Sequence, residues 1–160
     1  MHRSPAVGVL IFSLIQTLSA ADPAGFGMWK QGDLRQRAST LAGKVGPDHS
    51  ARETLGDYGN HLVRLVHRDS TGAPELHSKM VDLWVVVSGE GTLVVGGKIV
   101  NPRQMGNNGP NELTGDSIEG GERHPAAAGD VFHIPVGIPH AILVPAGKQI
   151  TYMRVAIPAQ

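Results

Sequence analysis

Glu75 and His77 stand two residues apart, and in a strand that spacing turns both side chains to one face. Asp82 follows after Ser78-Lys79-Met80-Val81, enough chain to turn and return a carboxylate to the same face. His140 lies sixty-three residues beyond His77. It comes directly behind Pro135-Val136-Gly137-Ile138-Pro139, a Pro- and Gly-built turn that fixes its approach. Two imidazoles with one or two carboxylates and no thiolate suit divalent iron, manganese, nickel, copper or zinc. Glu75 has a second reading, as a general base beside a three-ligand site. Asp82 also has one, as a carboxylate that orients an imidazole from behind.

Other side chains belong to the surroundings of such a site. Trp84 and Val86 fall in phase with Asp82 and would make an apolar wall. His61 and His67 share a strand face with Val63 and Leu65; they line a pocket if that face turns inward and sit outside it otherwise. Tyr152 and Arg154 share a face of the last strand, opposite Met153, Val155 and Ile157. Turned inward they would bind a substrate carboxylate or phenol; turned outward they would meet solvent or a subunit. His133 has the opposite parity to Phe132 and reads as a surface residue.

The elements that position these residues read as strands from His61 onward. His61 to Arg68 is β-branched and apolar between Gly59-Asn60 and Ser70-Thr71-Gly72. Further strands are expected at Glu75 to Met80 and Leu83 to Val87, with Gly89-Glu90-Gly91 as a turn. Thr92 to Val95, Gly96-Gly97 and Lys98 to Val100 read as a hairpin. A polar loop, Asn101 to Gly121, then precedes strands at Val131 to Ile134, Ala141 to Val144 and Ile150 to Ile157. A loop of that length is usually functional, and this one is expected to border the pocket mouth. Ahead of the strands, Leu34, Ala38, Leu41, Ala42 and Val45 make a helical stripe within Met28 to Val45, ended by Gly46-Pro47. The resulting division is a leader over 1–21, an N-terminal segment over 22–60 carrying the helix, and a barrel over 61–160.

Composition narrows the class. The chain has 160 residues, room for one domain, with 21 Gly, 11 Pro and only 4% aromatics, a balance suited to short strands and tight turns. Fourteen basic residues match fourteen acidic ones, so no basic surplus exists to hold a nucleic-acid backbone. Cysteine is absent, which rules out thiol catalysis, thiolate metal sites and a lipoprotein anchor. Met1-His2-Arg3-Ser4, a mostly apolar run from Ala6 to Leu18 and then Ser19-Ala20-Ala21 read as a secretion signal. The apolar run falls short of the about 20 residues a membrane span needs, so export to a periplasm or exterior without a stable anchor is expected.

Both histidine segments resemble the paired motifs of the cupin superfamily. Glu75-x-His77, four residues, Asp82, six residues, Gly89 keeps the spacing of the first motif. Gly129, five residues, Pro135-x-Gly137, two residues, His140 keeps that of the second. The resemblance covers roughly His61 to Ile157 and implies an all-β, antiparallel double-stranded β-helix, the jelly-roll barrel, with the helix added at its N-terminal side. It matches His77 to the second histidine of the first motif, Asp82 to its glutamate, and His140 to the histidine of the second motif. Two positions depart from the pattern: Glu75 stands where the first histidine is usual, and Val144 replaces the closing Asn. An added carboxylate favours iron or manganese over nickel, copper or zinc. The resemblance further implies a small-molecule substrate, a homodimer, and a metal-dependent, dioxygenase-like activity. Its alternatives are a metal-dependent lyase or isomerase, or a non-catalytic module that binds a small ligand.

Overall fold

The computed structural model describes residues 22–106 and 112–159. The expected leader over 1–21 lies outside them. Among the described residues one helix, α1 (Gln31–Ala42), precedes twelve strands: β1 (Ser50–Asp57), β2 (Leu62–Arg68), β3 (Glu75–Leu76), β4 (Met80–Val95), β5 (Lys98–Val100) and β6 (Arg103–Gln104). They continue with β7 (Leu113–Thr114), β8 (Ser117–Glu119), β9 (Glu122–Ala127), β10 (Val131–Ile134), β11 (His140–Leu143) and β12 (Ile150–Pro158). Every pairing is antiparallel. Among the described residues no helix is long and apolar enough to cross a membrane.

Two sheets face each other, and β4 belongs to both. Its first half pairs with β12 and β10, in the order β1-β2-β12-β4-β10. Its second half pairs with β9 and β11, and β11 leads on to β3, β7 and β6. The strand bends at Gly89-Glu90-Gly91 without breaking, so the turn expected there is instead a corner between sheets. Gly89 has φ +78, and a Cβ there would lie 2.0 Å from the Gln149 carbonyl oxygen, a contact only glycine permits.

Other expectations also shift. The barrel begins one strand before His61, because β1 pairs with β2 along nearly its whole length. As an edge strand β1 carries Arg52, Glu53 and Asp57, charges that mask its alternation and protect the edge. The expected strand from Glu75 to Met80 is two strands separated at His77-Ser78-Lys79. Lys98 to Val100 pairs with β8, not with Thr92 to Val95, and the polar loop it opens contributes three short strands.

The core between the sheets joins Val66, Trp84, Val86, Leu93, Ile134, Ile142, Ile150 and Tyr152. A second cluster covers the outer face of the first sheet, where Leu34 and Leu41 of α1 meet Ala51, Leu65 and Val87. The stripe predicted for the helix therefore packs outside the barrel, and burying each leucine contributes roughly 1.5–3 kcal/mol.

Candidate metal centre

The second sheet brings Glu75 and His140 together as direct cross-strand neighbours on β3 and β11. His77 follows just past the end of β3, and the turn before His140 holds it in place. The Gly137 N–H donates to the His77 carbonyl oxygen at 2.8 Å, and the Gly96 N–H donates to Pro139 at 2.8 Å. Gly137 has φ +74, which the turn requires and a side chain would oppose. The two motifs are thus locked to each other by backbone as well as by side chains.

Ligand atoms of Glu75, His77 and His140 all lie within 4.8 Å of one another. His77 Nε2 is 3.4 Å from Glu75 Oε2 and 3.6 Å from Asp82 Oδ2, while His140 Nε2 is 3.6 Å from the same Asp82 oxygen. Both rings are fixed from behind. His140 Nδ1 donates to the Ile138 carbonyl at 3.0 Å, and a carbonyl can only accept, so in the neutral ring Nε2 carries the lone pair. His77 Nδ1 meets Glu112 Oε2 at 2.7 Å, and that carboxylate is itself held by the Ser78 N–H at 2.7 Å. A carboxylate behind a ligating imidazole sets its tautomer and raises its basicity.

Asp82, 1% exposed, lies beside this group but is already engaged. Arg154 donates from Nε to Oδ2 at 2.8 Å and places Nη2 2.7 Å from Oδ1; Trp84 Nε1 adds a donor at 3.3 Å. Arg154 Nη2 also reaches His77 Nε2 at 3.1 Å. Burial would raise the Asp82 carboxyl, but His140 and Arg154 outweigh it and hold the group at about 2. Glu75 follows the same pattern: burial opposes its charge, yet His77, His140 and Arg154 hold it at about 2. Burial disfavours a charged His77 ring, but Glu75, Glu112 and Asp82 together move it above its ordinary value.

These residues fit a divalent transition metal. The donors are imidazole nitrogens and carboxylate oxygens, and both imidazoles present Nε2 to one region. His140 Nε2 is fully buried with no hydrogen-bond partner among the described residues, an acceptor that a metal would satisfy. A cleft of about 350 Å³ lined by Leu62, His77, Met80, Glu112 and Arg154 opens beside the group.

The structure sorts the other residues named from the sequence. Trp84 is stacked on Tyr152 at 4.3 Å and edge-on to His140 at 5.5 Å. Tyr152 and Arg154 face inward, toward the site. His67 does not line the pocket: Val66 takes the inward position on β2, so His67 turns with Leu65 to the helix side. There it meets Thr151 Oγ1 at 2.8 Å. His61 stacks on Tyr58 near the protein surface and His133 is exposed. Three residues near the site were not foreseen. Glu112 gives no local signal within a polar loop, whereas Arg64 and Arg68 could have been found from their shared parity with Val66.

Neither a family model nor a curated protein matches the sequence. Solved structures do. The TT1209 protein from Thermus thermophilus aligns with a TM-score of 0.51 at 16% identity, over 71% of this chain and 88% of its own. KdgF from Halomonas sp. aligns at 0.50 and 17% identity, over 72% and 85%. A cupin-2 domain protein from Rhodospirillum rubrum, Rru_A2000, aligns at 0.49 and 16% identity, over 68% and 60%. The chain shares the fold of the first two, a barrel of two facing antiparallel sheets, which is the architecture its motif resemblance implies. Within it Glu75 and His140 occupy adjoining strands of one sheet, and the site they build faces Asp82 and Arg154 on the other.

Proposed function

We propose that this cupin is a metal-dependent enzyme of dioxygenase-like type that acts on a small organic molecule. It would hold divalent iron or manganese through Glu75, His77 and His140. The observation that carries the reading is the convergence of two imidazole Nε2 atoms and one carboxylate beside an open cleft. Two histidines and one carboxylate with coordination positions left open are the donor set of non-haem iron oxygenases. When bound, the ion would supply Lewis-acid and redox chemistry toward oxygen and substrate.

The chain's own residues have separable roles. Glu112 and the Ile138 carbonyl fix the ring protons of His77 and His140 on Nδ1. Arg154 holds Asp82 behind the ligands as an ion pair. Trp84 and Tyr152 close the interior side of the site to water, so a substrate enters from the cleft at His77 and Glu112. Ligation is the better role for Glu75, since it pairs across strands with His140 and lies against His77.

Oxygen uptake tests this reading. The full chain, reconstituted with Fe(II) or Mn(II), is screened against small phenols and organic acids in an oxygen electrode. Uptake that requires metal and vanishes in His140→Ala is expected. Metal-dependent binding of a compound without uptake or product would reduce the protein to a binding module.

A further inference from the structure

Four arginines stand on the inner face of the first sheet. Arg52 on β1, Arg64 and Arg68 on β2, and Arg154 on β12 line one small cavity of about 40 Å³ with Glu75 and Tyr152. Their charges are not balanced. Arg154 is committed to Asp82, and Arg52 pairs outward with Asp48 at 3.0 Å. Arg64 has no ion pair among the described residues. Arg68 is only 7% exposed, its nearest carboxylate oxygen is Glu75 Oε1 at 4.0 Å, and its Nε is buried with no hydrogen-bond partner.

The arrangement is costly for a folded chain. Arg64 lies directly opposite Arg154 in the β2–β12 register, and like charges so placed on neighbouring strands repel. A buried guanidinium nitrogen without an acceptor adds a desolvation cost. Gly72 marks how closely the Arg68 head is packed, since a Cβ there would lie 2.6 Å from its Cζ. An anion in the cavity removes both costs, because it supplies acceptors to Arg68 and screens Arg64 from Arg154. Planar guanidinium donors match the two oxygens of a carboxylate, and the cavity has room for a few water-sized groups, enough for one such head.

We propose that Arg64 and Arg68, with the Tyr152 ring beside them, form a subsite for the carboxylate of a small organic ligand. Glu75 and Arg154 border both this cavity and the metal centre, so the subsite places its ligand next to the proposed metal ligands. The role of the bound molecule as substrate rests on the proposed function above; the binding itself does not.

Calorimetric titration of malonate, and separately of inorganic phosphate, into the chelator-treated full chain tests the subsite without metal. The series is repeated after Mn(II) loading and on Arg64→Gln, Arg68→Gln and Arg35→Gln, the last on the exposed face of α1. Malonate is expected to bind the metal-free wild type and Arg35→Gln alike, to weaken with added salt, and to lose at least tenfold in affinity in Arg64→Gln. Arg64 is only half-buried, so its variant stays informative if Arg68→Gln fails to fold. Equal affinity in wild type and Arg64→Gln overturns the subsite. Phosphate binding more tightly than malonate through Arg64 overturns the carboxylate assignment. Malonate binding that persists while no metal is taken up would refute the metal reading and leave the subsite standing.

Discussion

Glu112 shows how much of the site depends on a residue that meets His77 from behind its ring. Its carboxylate touches His77 only at Nδ1, yet that contact decides which nitrogen of the ring is free. Replacing Glu112 by Gln keeps an acceptor for the ring and removes the charge. Metal affinity is expected to fall roughly 10–100-fold in that variant, with the far-ultraviolet circular dichroism unchanged. Competition against a chelating dye reads the difference, and unchanged affinity would show that Glu112 serves only the loop. Sequence could not supply this residue, because its partner is 35 positions away across a loop with no periodic pattern. His77, Asp82 and His140 were legible for the opposite reason. Their spacing is set by one corner strand and one Pro/Gly turn, both local features. What spacing could not tell was that Arg154 would form an ion pair with Asp82.

At the scale of elements, the corner in β4 does most to bring the two sheets over one site. Its first half carries Asp82 and Trp84 in one sheet, and its second half pairs with the His140 strand in the other. A Gly-Glu-Gly segment reads equally well as a turn or as a bend, and only the continuous pairing on both sides decides between them. Gly89→Ala should therefore be costly. A positive φ disfavours any side chain by about 1–2 kcal/mol, and the new Cβ would strike the Gln149 backbone. A loss of at least about 2 kcal/mol in urea unfolding is expected, whereas a loss under about 0.5 kcal/mol would mean that the corner tolerates a side chain. The parity of strands was legible, but its direction was not. Tyr152 and Arg154 were seen to share a face, yet only α1 packing on Leu65 and Val87 fixes which face is outside. The same packing sends His67 away from the pocket.

For the whole molecule, the barrel gathers buried charges of both signs around the two histidines. Glu75, Asp82 and Glu112 stand on one side of the balance, Arg64, Arg68 and Arg154 on the other, in a chain with no net charge. A metal bound only by the folded barrel must stabilise it by mass action. Free metal at a hundred times its dissociation constant adds about 2.7 kcal/mol, so chelation should lower the melting temperature by several degrees. Scanning calorimetry with and without chelator reads this shift, and coincident curves would mean that the folded chain holds no such ion.

If His77 and His140 hold the metal together, each is needed for it, and metal content reads that need. Wild type, His77→Ala and His140→Ala are purified as full chains, checked for folding by circular dichroism, and analysed for bound transition metals by mass spectrometry. Wild type should carry about one ion per chain, as expected for a single mononuclear site, and each folded variant less than about a tenth of that. Folded variants that both keep the full complement of metal would mean that neither histidine holds it.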